Sequence, residues 1–162
     1  MKKKNCEFIF SLIFFLILIS SFNINEIKSA DLTKQNPLEK KIYFKGKIGS
    51  EHYYEPNYIE FKTGKLYKLI LINNSDSKHY FTSLQFSKSI FTRKVQISFE
   101  GKKLAEIKGN IDEIEVFPNH EIEWWFIPIK TGTFKDLHCK VLDKKTGKTH
   151  SQMGMKGNIN IK

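Results

Sequence analysis

The sequence predicts an all-β domain, a Greek-key antiparallel β-sandwich preceded by an N-terminal signal segment. Three observations predict it. From Lys40 onward, short runs alternate apolar and polar residues with a period of two. Turn residues (Gly, Asn, Asp and Pro) interrupt those runs at short intervals. Helical spacing of apolar residues is almost absent. Seven or eight short strands with little helix is the pattern of a sandwich.

The first element is not part of that domain. Lys2, Lys3 and Lys4 form a basic start, and an apolar run follows from Phe8 to Phe22, broken by Ser11, Ser20 and Ser21. A bilayer span needs about 20 apolar residues, so this run is short. With a small-residue exit at Ser29-Ala30 it reads as a secretory signal peptide over residues 1–30, a retained anchor being the alternative. Cys6 precedes the apolar run and leaves with it. The mature domain is then 31–162, long enough for a real core and carrying one cysteine, Cys139. A single thiol in an oxidising compartment forms no internal disulfide.

The strands follow in order. Residues 40–49, KKIYFKGKIG, place Ile42, Phe44 and Ile48 in register by two. Tyr58 to Phe61 is a strand ending at a Thr63-Gly64 turn, and Leu66 to Ile72 is dense enough to be buried on both faces. Asn73-Asn74-Ser75-Asp76 stops it. Residues 79–94 are closer to helical spacing and read as a loop with a short helix. VQISFEGKKLAEIKG is a hairpin turning at Glu100-Gly101-Lys102. IDEIEVFP and EIEWWFIPIK are strands around a Pro118-Asn119 turn. After Thr131-Gly132, TFKDLHCKV and NINIK close the chain. In Trp124-Trp125-Phe126, period two turns one indole inward and the other outward.

Residues 31–162 keep 23 basic and 15 acidic residues, a net charge of +8. This suits acidic partners or an anionic surface. The lysines are scattered and no nucleic-acid signature is present, so no nucleic-acid partner is expected.

The chemistry concentrates near the C-terminus. Thiolate, imidazole and thioether together form a soft donor set, and two His, one Cys and a weak axial Met describe a blue-copper site. Cys139 supplies the thiolate, with His150 and Met155 after it; Met153 competes with Met155 for the axial place. The second His comes from His52, His79, His120 or His138. His138 adjoins Cys139 in a strand, where neighbouring side chains alternate faces. His120 sits in the Pro118-Asn119 turn and His52 in an early loop. His79 follows a buried strand and the NNSDSK turn, at the end of the sandwich, and is the chosen ligand. Zinc would call for four Cys, His or carboxylate ligands. A binuclear copper centre would need a second nearby Cys.

The stretch GTFKDLHC…HSQMGMKG is similar to the cupredoxin pattern of Gly-Thr-aromatic, Cys, His and Gly-Met-x-Gly. NNSDSKH resembles that family's Asn-rich segment around its first His, and VFPNHEIEWWFIPIKTGTF its strand–turn–strand before the Cys. The resemblance, to plastocyanin- and azurin-like small blue copper proteins, covers roughly residues 40–162. It implies a single copper ion cycling between Cu(I) and Cu(II), held by His79, Cys139, His150 and Met155, with His150 nearest the surface as the electron port. Two departures stand out. Ten residues separate Cys139 from His150, a long loop for the family, and His138 replaces an aromatic residue before the Cys.

These readings imply a periplasmic or other extracytoplasmic electron carrier, monomeric and not an enzyme. Lys140, Lys144, Lys145 and Lys148 would steer an acidic redox partner, a cytochrome or an oxidase. The membrane enters only through the signal segment, if it is retained. Copper delivery without electron transfer is the alternative, and a metal-free scaffold a third.

Overall fold

The computed structural model describes residues 34–162; the signal segment expected over 1–30 lies outside the described residues. Eleven strands and one short helix occur among the described residues. They are β1 (Leu38–Gly46), β2 (His52–Glu55), β3 (Tyr58–Phe61), β4 (Tyr67–Asn73), β5 (His79–Thr82), α1 (Leu84–Ser87), β6 (Ile90–Phe99), β7 (Lys102–Ile107), β8 (Glu113–Val116), β9 (Glu121–Pro128), β10 (Gly132–His138) and β11 (Lys156–Ile161). They form two sheets, one in the order β2-β1-β4-β9-β6-β7 and the other β3-β11-β10-β5-β8. The β-sandwich is as expected. Within it, β1 pairs with β4 and β3 with β11 in parallel, alongside the antiparallel pairs.

The apolar pattern sorts each strand between the layers. In β1 the period-two pair Ile42 and Phe44 is fully buried. The unbroken apolar run of β4 lies between β1 and β9, and its Leu69, Ile70 and Leu71 are all buried. Trp124 faces the core and Trp125 stands half-exposed on the outer face, where Lys94 Nζ lies 4.6 Å from its ring centre. Cation–π attraction keeps such an indole acceptable at the surface.

Residues 79–94 contain the expected short helix, but strands flank it on both sides. Asp136 of β10 places α1: its carboxylate accepts from the Ser83 hydroxyl at 2.6 Å and from the Gln85 backbone N–H at 2.9 Å. The helix thereby drives Phe86 into the sandwich, edge-on to Trp124 at 5.7 Å and to Phe126 at 5.3 Å. Full burial of a Phe side chain contributes about 2–3 kcal/mol.

Among the described residues no helix is long and apolar enough to cross a membrane.

Candidate metal centre

Three polypeptide segments meet at one end of the sandwich. The first is the entry to β5. His79 opens this strand, opposite Val116 of β8, and is fully buried. Its Nε2 lies 2.7 Å from the Ser75 hydroxyl, which donates to Asn73 Oδ1 or to the Ser77 carbonyl. Asn73 is itself tied to the Ser77 and Val116 carbonyls, each at 2.8 Å. The NNSDSK turn is therefore a chain of polar side chains that holds one nitrogen of His79 and leaves Nδ1 free to face inward.

The second segment is the exit of β10, where Cys139 is fully buried. Its sulfur accepts the Tyr80 backbone N–H at 3.4 Å. The third is the chain from Cys139 to Met155. The ten residues between Cys139 and His150 are not an open loop but a small hairpin. Leu142 bridges Thr149, the Asp143 N–H donates to the Lys148 carbonyl at 2.8 Å, and the His150 N–H donates to the Val141 carbonyl at 2.8 Å. The Met155 N–H donates to the His150 carbonyl at 2.9 Å, and its carbonyl accepts from the Cys139 N–H at 3.3 Å. These bonds fold the Cys, His and Met positions into one compact unit.

The donors converge. Cys139 Sγ lies 3.8 Å from His79 Nδ1 and 3.7 Å from His150 Nδ1, and the two nitrogens are 2.9 Å apart. A triangle with these sides has a circumscribed radius of about 2.0 Å, an ordinary metal–imidazole bond length. Met155 is fully buried. Met153 is only half-buried, and its thioether accepts from the Thr146 hydroxyl at 3.3 Å, pointing to a role in the hairpin.

Burial sets the protonation. It holds the His79 imidazole down to about 3, helped by repulsion from His150 and His52, and the His150 imidazole down to about 4. Both are neutral at pH 7, with lone pairs available. Burial pushes the Cys139 thiol up, against the lowering pull of the Tyr80 and Val141 N–H groups. A cation that replaces the thiol proton relieves that cost.

The other histidines divide clearly. His120 is exposed, with its Nδ1 on the Pro118 carbonyl. His138 is half-buried, with its Nδ1 on the Asp136 carbonyl. His52 is the residue that sequence reasoning missed. Instead of lying in an early loop, it begins β2 and is fully buried, and one of its nitrogens lies within 4.8 Å of one on His79 and one on His150. Its signal was the alternation of His52 and Tyr54 in HYYE, both buried. His150, expected nearest the surface, has no more exposed area than His79, Cys139 or Met155. It is fully buried, and the His52 ring stacks on it at 3.8 Å.

No family model and no curated relative matches the sequence. Solved structures do. The chain is 21% identical to a multicopper oxidase from Campylobacter jejuni, with a TM-score of 0.53 over 78% of this chain and 30% of that one. Copper nitrite reductase from Nitrosomonas europaea gives a TM-score of 0.55 at 10% identity, over 83% of this chain and 52% of that one. The blue copper oxidase of the same organism gives 0.51 at 20% identity, over 83% and 47%. The chain thus spans about half or less of these proteins. The shared architecture is the cupredoxin fold. Thiolate, imidazole and thioether donors on that fold suit copper.

Proposed function

We propose that this chain is an exported electron carrier with one type 1 copper ion held by His79, Cys139, His150 and Met155. The observation that carries the reading is the triangle of Cys139 Sγ and the two Nδ1 atoms, already sized for a metal ion. Bound copper would supply the one-electron Cu(II)/Cu(I) couple.

The chain's own residues do the rest. Ser75 accepts the His79 Nε2–H, fixing the tautomer that presents Nδ1. The Tyr80 N–H stabilises negative charge on the Cys139 sulfur and so influences the potential. The two sheets and the hairpin hold all four donors buried and nearly still, which keeps rearrangement small when the charge changes. Enclosure also leaves a substrate no direct approach, which favours a carrier over an enzyme and over a delivery protein that must exchange its ligands.

Lys140, Lys144, Lys145 and Lys148 are all exposed on the ligand hairpin, beside the exposed Leu142. They form the rim on which an acidic partner would dock. Export rests on the basic start and short apolar run of residues 1–30.

The test is to add Cu(II) to the purified protein and to its Cys139→Ala variant, and record visible absorption and EPR spectra. An intense thiolate-to-copper band in the first and none in the second is expected. Tight Cu(I) binding without that band would support copper delivery instead. For docking, electron-transfer rates to an acidic partner should fall with added salt.

A further inference from the structure

Two buried polar residues stand beside the proposed centre without serving as donors in it. His52 and Asp143 both have side chains with no exposed surface, and His52 Nε2 lies 3.4 Å from Asp143 Oδ2. We propose that His52, held by Asp143, is a positioning residue for His150: a flat imidazole clamp that fixes the plane of the His150 ring and seals the centre beneath the ligand hairpin. This rests on the reading of His150 as a metal ligand.

Asp143 is anchored before it meets His52. Its Oδ2 accepts the Gly49 N–H at 2.7 Å, and its Oδ1 accepts the N–H groups of Thr146 at 2.7 Å and Lys145 at 3.0 Å. One carboxylate thus ties the tip of the ligand hairpin to the β1–β2 turn, 94 residues away in sequence. Three backbone donors stabilise its charged form. A fixed carboxylate draws the His52 ring proton to Nε2 and sets the orientation of the ring.

The opposite edge of the ring fills the space that a side chain on Gly46 would take. Gly46 faces His52 across the β1–β2 pair, and a Cβ on Gly46 would come within 2.6 Å of His52 Nδ1. That nitrogen is buried without a hydrogen-bond partner. The ring is therefore gripped at both edges, and its face lies on His150 with centres 3.8 Å apart and planes 20° from parallel. His79 stands at 61° to it, 5.3 Å away.

The alternative is that His52 is a third imidazole ligand. The stacking argues against this. Lone pairs lie in the ring plane, so those of two nearly parallel rings run side by side instead of converging on one ion. A clamp needs the parallel arrangement; a ligand needs convergence.

The experiment loads the full protein with Cu(II) and compares it with His52→Phe, which keeps a flat ring, and His52→Ala, which removes it. Pulsed EPR counts the coupled imidazoles, and a chelator measures copper release. The expected result is two coupled imidazoles in the wild type and in His52→Phe, with faster copper release from His52→Phe, which keeps a flat ring but loses the bond to Asp143. In His52→Ala, release is tenfold or more faster and the thiolate-to-copper band shifts. Apo-protein circular dichroism of both variants checks folding, and His52→Phe carries the test if His52→Ala does not fold. Three coupled imidazoles in the wild type falling to two in His52→Phe would make His52 a ligand and overturn the clamp. An unchanged band and release rate in His52→Ala, or in His52→Phe where His52→Ala does not fold, would reduce it to filler. A wild-type protein with no thiolate-to-copper band would overturn the centre itself, and the clamp with it.

Discussion

Two hairpins of this sandwich are built in opposite ways. The β6–β7 hairpin turns at Glu100 and Gly101, both with positive φ, and carries Phe99, Leu104 and Ile107 exposed. β7 is a sheet edge, protected by Lys102, Lys103 and Lys108 in the manner of edge strands that avoid pairing with other chains. The ligand hairpin from Cys139 to His150 instead has its ends buried and its tip bound to Asp143. The first is held by its ladder, by the Lys94–Glu106 ion pair and by the pairing of β6 with β9. The second is held by polar groups that must all be satisfied together, because an unmet buried donor or acceptor costs about 1–3 kcal/mol. The difference separates what the sandwich needs to fold from what it needs to hold a metal.

Two glycines break this comparison most sharply. Gly46 has φ +139, and a Cβ there would collide with the Glu51 carbonyl and with the His52 ring and backbone. Gly101 has φ +74, with nothing within 4 Å of the same position. Gly46→Ala should therefore cost about 3 kcal/mol or more, combining backbone strain with a packing clash. Gly101→Ala should cost about 1–2 kcal/mol, the strain alone. Denaturant unfolding of the apo-protein measures both, and equal losses would show that the ligand end is no more tightly built than the edge hairpin.

The proton linkage of the buried imidazoles comes next. Well above pH 6.5 the His79 and His150 rings are neutral in both folded and unfolded chains, and contribute nothing to the pH slope. Below pH 6.5 the unfolded chain takes up protons that the folded chain refuses until about pH 4 for His150 and about pH 3 for His79. Apo-protein stability should thus fall as pH drops from 6.5 toward 4, with an uptake on unfolding approaching two protons from these rings. His79→Phe should remove one of the two. Unfolding midpoints measured across that range check it, and a slope unaffected by the substitution would place the proton uptake elsewhere.

Much of the sandwich was legible because its strands obey a period of two. Ile42 and Phe44, the two-faced β4 and the Glu100-Gly101 turn all appear as the local pattern predicts. β2 and β5 did not, since a four-residue strand shows the alternation only once and each follows a turn-rich stretch. The parallel pairings of β1 with β4 and β3 with β11 leave no mark in local sequence, because they depend on which strands the core brings together. At the metal end, the meeting of His79, Cys139 and His150 followed from residue chemistry and resemblance. The burial of His150 did not, because its cover is His52, which the fold supplies from a strand about a hundred positions earlier. The part played by Asp143 leaves no mark in local sequence, because its bond to Gly49 comes only from the fold.

The smallest effect belongs to the exposed hairpin. Leu104 is 67% exposed on β7, so replacing it removes little buried apolar area. Leu104→Ser should change stability by no more than about 0.5 kcal/mol, as for surface positions without a special contact. It should also leave the thiolate-to-copper spectrum untouched, since β7 is at the far edge of the six-stranded sheet and contributes no donor to the centre. Thermal unfolding and the visible spectrum of the copper-loaded variant test both halves. A spectral change would mean that the edge strand communicates with the metal end through β6 and β9, and the division between scaffold and site would have to be redrawn along those strands.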